Sequence, residues 1–173
     1  RISDYFTTDP EYGTDEDVEA FVKEAHRLGL RVMFDLVYMH AGPNAVFAKE
    51  HPEWFIPAFG FTMNNMAVSE IRQHKLKVVA EVMRKYAFDG LDIDFERHTP
   101  ILPVGKQWEM RECVTDFMRE ARAELLKIGQ EQGRVIMLSA RIPDCLDGCH
   151  QDGLDVEEWI KEDLVDCLTL GSR

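Results

Sequence analysis

No run of apolar residues in this chain reaches membrane-spanning length, and no secretory leader is recognisable, which excludes a transmembrane helix from these residues. Basic residues are scarce: 20 Lys and Arg stand against 32 Asp and Glu, a formal net charge of -12 at pH 7. That balance argues against phosphate backbones and anionic surfaces, so neither nucleic acid nor membrane is expected as a partner. It suits a neutral substrate such as a sugar. Cysteine is sparse as well. Cys113, Cys145, Cys149 and Cys167 match no common zinc spacing, and free buried thiols are the expectation. No glycine-rich phosphate loop follows an apolar run, so no nucleotide cofactor is expected, nor any other cofactor.

What is present suffices for one sizeable core, since 45% of the 173 residues are hydrophobic. The chain opens on Arg1 and closes on Gly171-Ser172-Arg173 directly after an apolar run. Residues 1–173 therefore read as a single barrel domain, a fragment truncated at both ends.

Apolar residues at Val18, Phe21, Val22, Ala25 and Leu28 repeat with helical spacing, opened by Thr14 and Asp17 as a capping box and closed by Gly29. Leu30 to Val37 reads as a buried strand, and residues 38–44 as a strand end entering a loop. Residues 45–65 read as irregular and aromatic-rich. A helix is predicted over 69–86, an acid-bearing strand within 88–98 whose alternation runs from Leu91 to Glu96, a helix over about 108–128 and a strand over 135–142. A turn-rich loop, a short helix opened by Asp155 and a last strand over 164–170 complete the pattern. Helix and strand alternate throughout, which implies parallel strands covered by helices. With no nucleotide loop and with polar groups gathered after strand ends, the expected fold is α/β: a partial (β/α)8 TIM barrel of about four parallel strands.

One strand stands apart. In Leu91-Asp92-Ile93-Asp94-Phe95-Glu96 apolar and acidic residues alternate, which puts three carboxylates on one face of a strand. A row of acids with no cation between them is electrostatically costly, and perturbed carboxylates cluster at sites. We read the ladder as a site.

Asp4-Tyr5, Asp9 to Thr14, Ala25-His26-Arg27-Leu28-Gly29, Asp35 to His40 and His51 to Phe55 form a long ordered series that resembles the α-amylase family of glycoside hydrolases. The resemblance implies a barrel enzyme in which Asp35 and His40 belong to one block, with His40 touching sugar. That family's calcium-binding Asn falls on Met39. From about His51 onward, Glu70-Ile71-Arg72, Asp89 to Arg97, Thr115-Asp116-Phe117 and Arg141-Ile142-Pro143 are similar to the family-10-like glycosyl hydrolases. Asp89, Gly90, Asp92, Asp94 and Glu96 also resemble the acidic strand of family 18 chitinases. All three resemblances imply cleavage of glycosidic bonds in a carbohydrate substrate.

Such cleavage needs one carboxylic acid to protonate the leaving oxygen and one carboxylate at the anomeric carbon, except where the substrate's own acetamido group attacks. The chitinase likeness implies Glu96 as acid, supported by Asp94 and Asp92. The amylase likeness implies Asp94 as nucleophile, with Asp92 where that family has Arg and Arg141-Ile142-Pro143-Asp144 where it has its acid Glu. The family-10-like likeness keeps Asp94 and Arg97. Asp94 and Glu96 are the expected working pair, with Asp92 beside them. His40, Asp35, Tyr38, Arg97, His98 and Arg141 are candidate substrate contacts. His40 also fits a strand-end histidine, Asp35 a structural hydrogen bond, and the two arginines a neutralising role. Trp54 with Phe55 reads as loop packing and Asp89 as a structural ion pair. A second class stays open: Asp92, Asp94 and Glu96 with His40 or His98 as ligands of a hard cation in a metal-assisted hydrolase. So does a non-enzymatic sugar-binding remnant, whose partners would be the remaining barrel strands or a second copy.

Overall fold

The computed structural model describes residues 5–37, 40–42, 45–58, 61–96 and 100–171. Tyr38, Arg97 and His98 fall outside them, as do Met39, Ser172 and Arg173.

The chain opens with helix α1 (Asp15–Arg27). Thr14 and Asp17 bond reciprocally across its N-terminus, and Asp15, Glu16 and Asp17 in the first turn suit the positive end of the helix dipole. The chain leaves α1 through Gly29 in a left-handed conformation. Strand β1 (Met33–Val37) follows, then β2 (His40–Ala41), a short α2 (Val46–Glu50) and a single turn of 3-10 helix at Pro52–Trp54. Next come β3 (Phe55–Ala58), β4 (Phe61–Asn64), α3 (Ser69–Lys85), β5 (Gly90–Asp94), α4 (Glu112–Gln132), β6 (Met137–Pro143), α5 (Leu146–Asp152), α6 (Val156–Lys161) and β7 (Cys167–Gly171).

Four strands form one parallel sheet in the order β1-β5-β6-β7, the order in which they occur along the chain. Sequential parallel order is what a barrel wall requires. Among the described residues the helices lie against one face: Val22 of α1, Val79 and Met83 of α3, Phe117 and Leu125 of α4 and Trp159 of α6 join Leu36, Leu91, Ile93, Leu138 and Ala140 in a single buried cluster. A doubly wound sheet would be covered on both faces. The opposite face carries Asp35, Asp92, Asp94, Ser139, Arg141 and Thr169, which the register sets side by side.

Several expectations need correction. β1 is not buried: it begins at Met33 and forms a sheet edge, with Met33 and Asp35 exposed. Phe21 and Leu28 are likewise exposed, so only part of the α1 apolar stripe is covered. Residues 45–65 are ordered instead of irregular, as β3 and β4 pair antiparallel and β2 joins β4 to make a second, three-stranded sheet. The predicted loop after β6 contains α5, closed by Gly153 at positive φ. None of the four cysteines forms a disulfide, but only Cys149 is buried, and Cys145 and Cys167 are exposed.

Candidate active site

The acid strand has the predicted form over most of its length. Leu91 and Ile93 point into the helix-covered core, so Asp92 and Asp94 must point to the opposite face. There Asp35 of β1 sits opposite Asp92, and Asp94 sits opposite Arg141 of β6. The ladder ends by turning. Asp94 Oδ1 accepts a hydrogen bond from the Glu96 amide at 2.9 Å, an Asp-initiated turn that terminates the strand. The Phe95 amide still donates to the Arg141 carbonyl, and its ring packs on Trp159 with centroids 5.5 Å apart. Glu96 therefore lies one residue beyond regular pairing, and its side chain is only 4% exposed.

Three buried polar atoms at this end of the sheet find no hydrogen-bond partner among the described residues: Asp92 Oδ1, Glu96 Oε1 and Arg141 Nε. Buried polar atoms are nearly always paired, and each exception asks for an explanation such as a catalytic role or a ligand. Three on adjacent strands, at the C-terminal end where barrels place their chemistry, mark this as the candidate site. The electrostatics agree at Asp35. Partial burial and the nearby Asp94 and Asp92 charges push its carboxyl above the ordinary range, with Arg141 opposing them.

The structure thus brings together Asp35, Asp92, Asp94, Glu96 and Arg141. Asp35 accepts no hydrogen bond from a described residue, against the structural bond expected of it. His40 is half-buried on β2, opposite Met63 of the smaller sheet, and so belongs to an element separate from the acid strand. Asp89 is the structural ion pair expected: it bonds His26 and Arg31 side chains and accepts the Val32 amide at 2.8 Å. Trp54 stacks on His51 at 4.0 Å and abuts His74, the packing role expected of it.

Two pieces escaped sequence reasoning. Lys75 of α3 is fully buried and donates to the Tyr5 hydroxyl at 2.7 Å, while that hydroxyl donates to the Val37 carbonyl at the end of β1. Burial holds the Lys75 ammonium far below the usual lysine range. Only its helical register, in step with Ile71, Val78 and Val79, hinted at burial. The other is Ser139, buried beside Asp92 on the polar face.

The metal-assisted alternative draws on Asp92, Asp94 and Glu96 with His40 or with His98, which lies outside the described residues. Among the described residues no group of three or more His, Cys, Asp or Glu side chains could hold a metal ion. The calcium-ligand position of the amylases is Met39, whose thioether is a poor ligand for a hard, oxygen-seeking cation. The residues do not fit a calcium site of that kind.

Residues 1–57 match the family model of the α-amylase catalytic domain. The malto-oligosyltrehalose trehalohydrolase of Deinococcus radiodurans is 28% identical over 158 residues, covering 89% of this chain and 25% of that protein. A probable α-glucosidase of Rhizobium meliloti is 49% identical over 55 residues, covering 32% of this chain and 9% of that protein. Among solved structures, a maltogenic α-amylase from Thermotoga neapolitana superposes with a TM-score of 0.62 at 23% identity, covering 89% of this chain and 34% of that one. That likeness shows the fold alone, an α/β arrangement that makes up part of that chain. These findings support the α-amylase resemblance and give no support to the family-10-like or chitinase-like ones. The chain is similar to these proteins over the stretches given, and it spans about a quarter of the length of the trehalohydrolase it matches over most of its extent.

Proposed function

We propose that residues 1–173 form part of a barrel glycoside hydrolase that cleaves α-linked gluco-oligosaccharides, with Asp94 and Glu96 as the working carboxylates. The observation that carries this reading is the trio of buried, unpartnered atoms on Asp92, Glu96 and Arg141 beside Asp94. The substrate class follows the relatives, whose names include a trehalohydrolase, an α-glucosidase and a cyclomaltodextrinase. Asp94 is held by the Glu96 amide with its other oxygen available to the anomeric carbon. Glu96 supplies the proton to the leaving oxygen, a role the amylases give to the next strand, where Arg141 to Asp144 stand here. Asp92 and Arg141 hold the sugar hydroxyls, and Asp35, His40, Tyr38, Arg97 and His98 extend the binding surface. The four-stranded wall is one part of a single barrel domain, completed by further strands of a longer polypeptide or by a second copy.

The test is hydrolysis of maltooligosaccharides by the full polypeptide that carries these residues. Asp94→Asn and Glu96→Gln each lower kcat by about 100-fold or more while the melting temperature holds. Turnover at the wild-type rate in either variant refutes the assignment.

A further inference from the structure

Glu96 does not stay over its own strand. Its carboxyl reaches past β6 to the last residue of β7, Gly171, which pairs in register with Pro143. A methyl group on Gly171 would stand 1.8 Å from Glu96 Oε2, 2.0 Å from Cδ and 2.5 Å from Oε1. Those are its three nearest neighbours, and all belong to one carboxyl group. Gly171 is not among the glycines with positive φ, so its backbone does not require glycine. A glycine inside a strand weakens it, and where the backbone is ordinary its usual meaning is close approach by another group. Here that group is Glu96, 75 residues earlier in the chain and otherwise enclosed.

We infer that Gly171 is a positioning residue: the empty space above its Cα is the seat of the Glu96 carboxyl, and any side chain there drives that group out of place. The inference rests on the reading of Glu96 as a working carboxylate. It adds that the geometry of the pair is set from β7, across an intervening strand, and not by β5 alone. The mechanism is steric. The added methyl meets the mobile end of a side chain instead of backbone, so the sheet survives and the carboxyl moves.

In the full polypeptide, Gly171→Ala keeps the wild-type melting temperature and loses about 100-fold in kcat with KM little changed, the size expected of a misplacement near 1 Å. Glu96→Asp alone also slows turnover. Combined with Gly171→Ala, however, it recovers about tenfold over Gly171→Ala, because a side chain one methylene shorter withdraws from the added methyl. A purely structural glycine would give no such reversal of sign. Should Gly171→Ala instead lower the melting temperature, adding Glu96→Ala restores it, since the clash is with that side chain alone. Wild-type kcat in Gly171→Ala, no recovery in the double variant, or a melting temperature that Glu96→Ala leaves low each overturns the inference. Full activity in Glu96→Gln strikes the catalytic reading itself, whereas an inert Glu96→Gln beside a fully active Gly171→Ala strikes only the role of Gly171.

Discussion

At the scale of single residues, the site is defined by what surrounds each carboxylate. Asp35, in the middle of β1, and Asp89, just before β5, behave in opposite ways. Burial alone would raise the Asp89 carboxyl, but the Val32 amide, His26 and Arg31 outweigh it and hold it below the ordinary range. A carboxyl lowered on folding stabilises the protein above its unfolded value, near 3.9, and that contribution is lost as pH falls through the folded value. Asp35 is raised, so its ionisation opposes folding: its contribution is greatest below the unfolded value and disappears as pH rises through the folded one. Asp89→Asn is therefore expected to cost about 2 kcal/mol at neutral pH, with the deficit shrinking in acid, as read by denaturant titration at several pH values. Asp35→Asn should stabilise at neutral pH, by less than about 1 kcal/mol because the group is exposed. A loss of stability in Asp35→Asn would mean that its carboxylate is held by an attraction outweighing Asp92 and Asp94.

At the scale of elements, β5 is anchored from behind. Trp159 of α6 is fully buried, donates its indole N–H to Thr115 of α4 at 3.1 Å and packs on Phe95, the residue between the two working acids. Thr115→Val keeps the shape and leaves that N–H unsatisfied, which should lower stability by about 1–3 kcal/mol. Chemical denaturation of the variant measures this directly, and a neutral result would remove Thr115 from the anchor. Elements of this kind were the most legible in the sequence. The acids of β5 announced themselves because period-two alternation fixes the face of each side chain, and α1 and α4 because apolar residues repeat at helical spacing. The small antiparallel sheet did not, since Phe55-Ile56-Pro57-Ala58 and Phe61-Thr62-Met63-Asn64 alternate too weakly to signal strands. Helix α5 was hidden by its glycine and polar residues, Leu146-Asp147-Gly148-Cys149-His150-Gln151-Asp152. The seat at Gly171 was invisible for a different reason: close approach between residues 96 and 171 is a property of the folded sheet and has no local signature.

At the scale of the whole molecule, the sheet separates two chemistries. One face is sealed by helices and apolar. The other presents Asp35, Asp92 and Asp94, with Arg141 alone among them as a cation of the described sheet residues, on a chain already carrying -12. Neither β1 nor β7 has a further neighbour among the described residues, and Leu170 at one margin is 65% exposed. That face carries more acids than cations, and a guest is sorted by its own charge before its shape matters. A sugar mimic whose ring nitrogen is protonated should outcompete its N-acylated, uncharged twin as an inhibitor. The advantage should shrink as salt shortens the reach of those carboxylates toward a Debye length of about 3 Å at 1 M. Equal inhibition by the two compounds at low salt would mean that Arg141 alone neutralises the acids of that face.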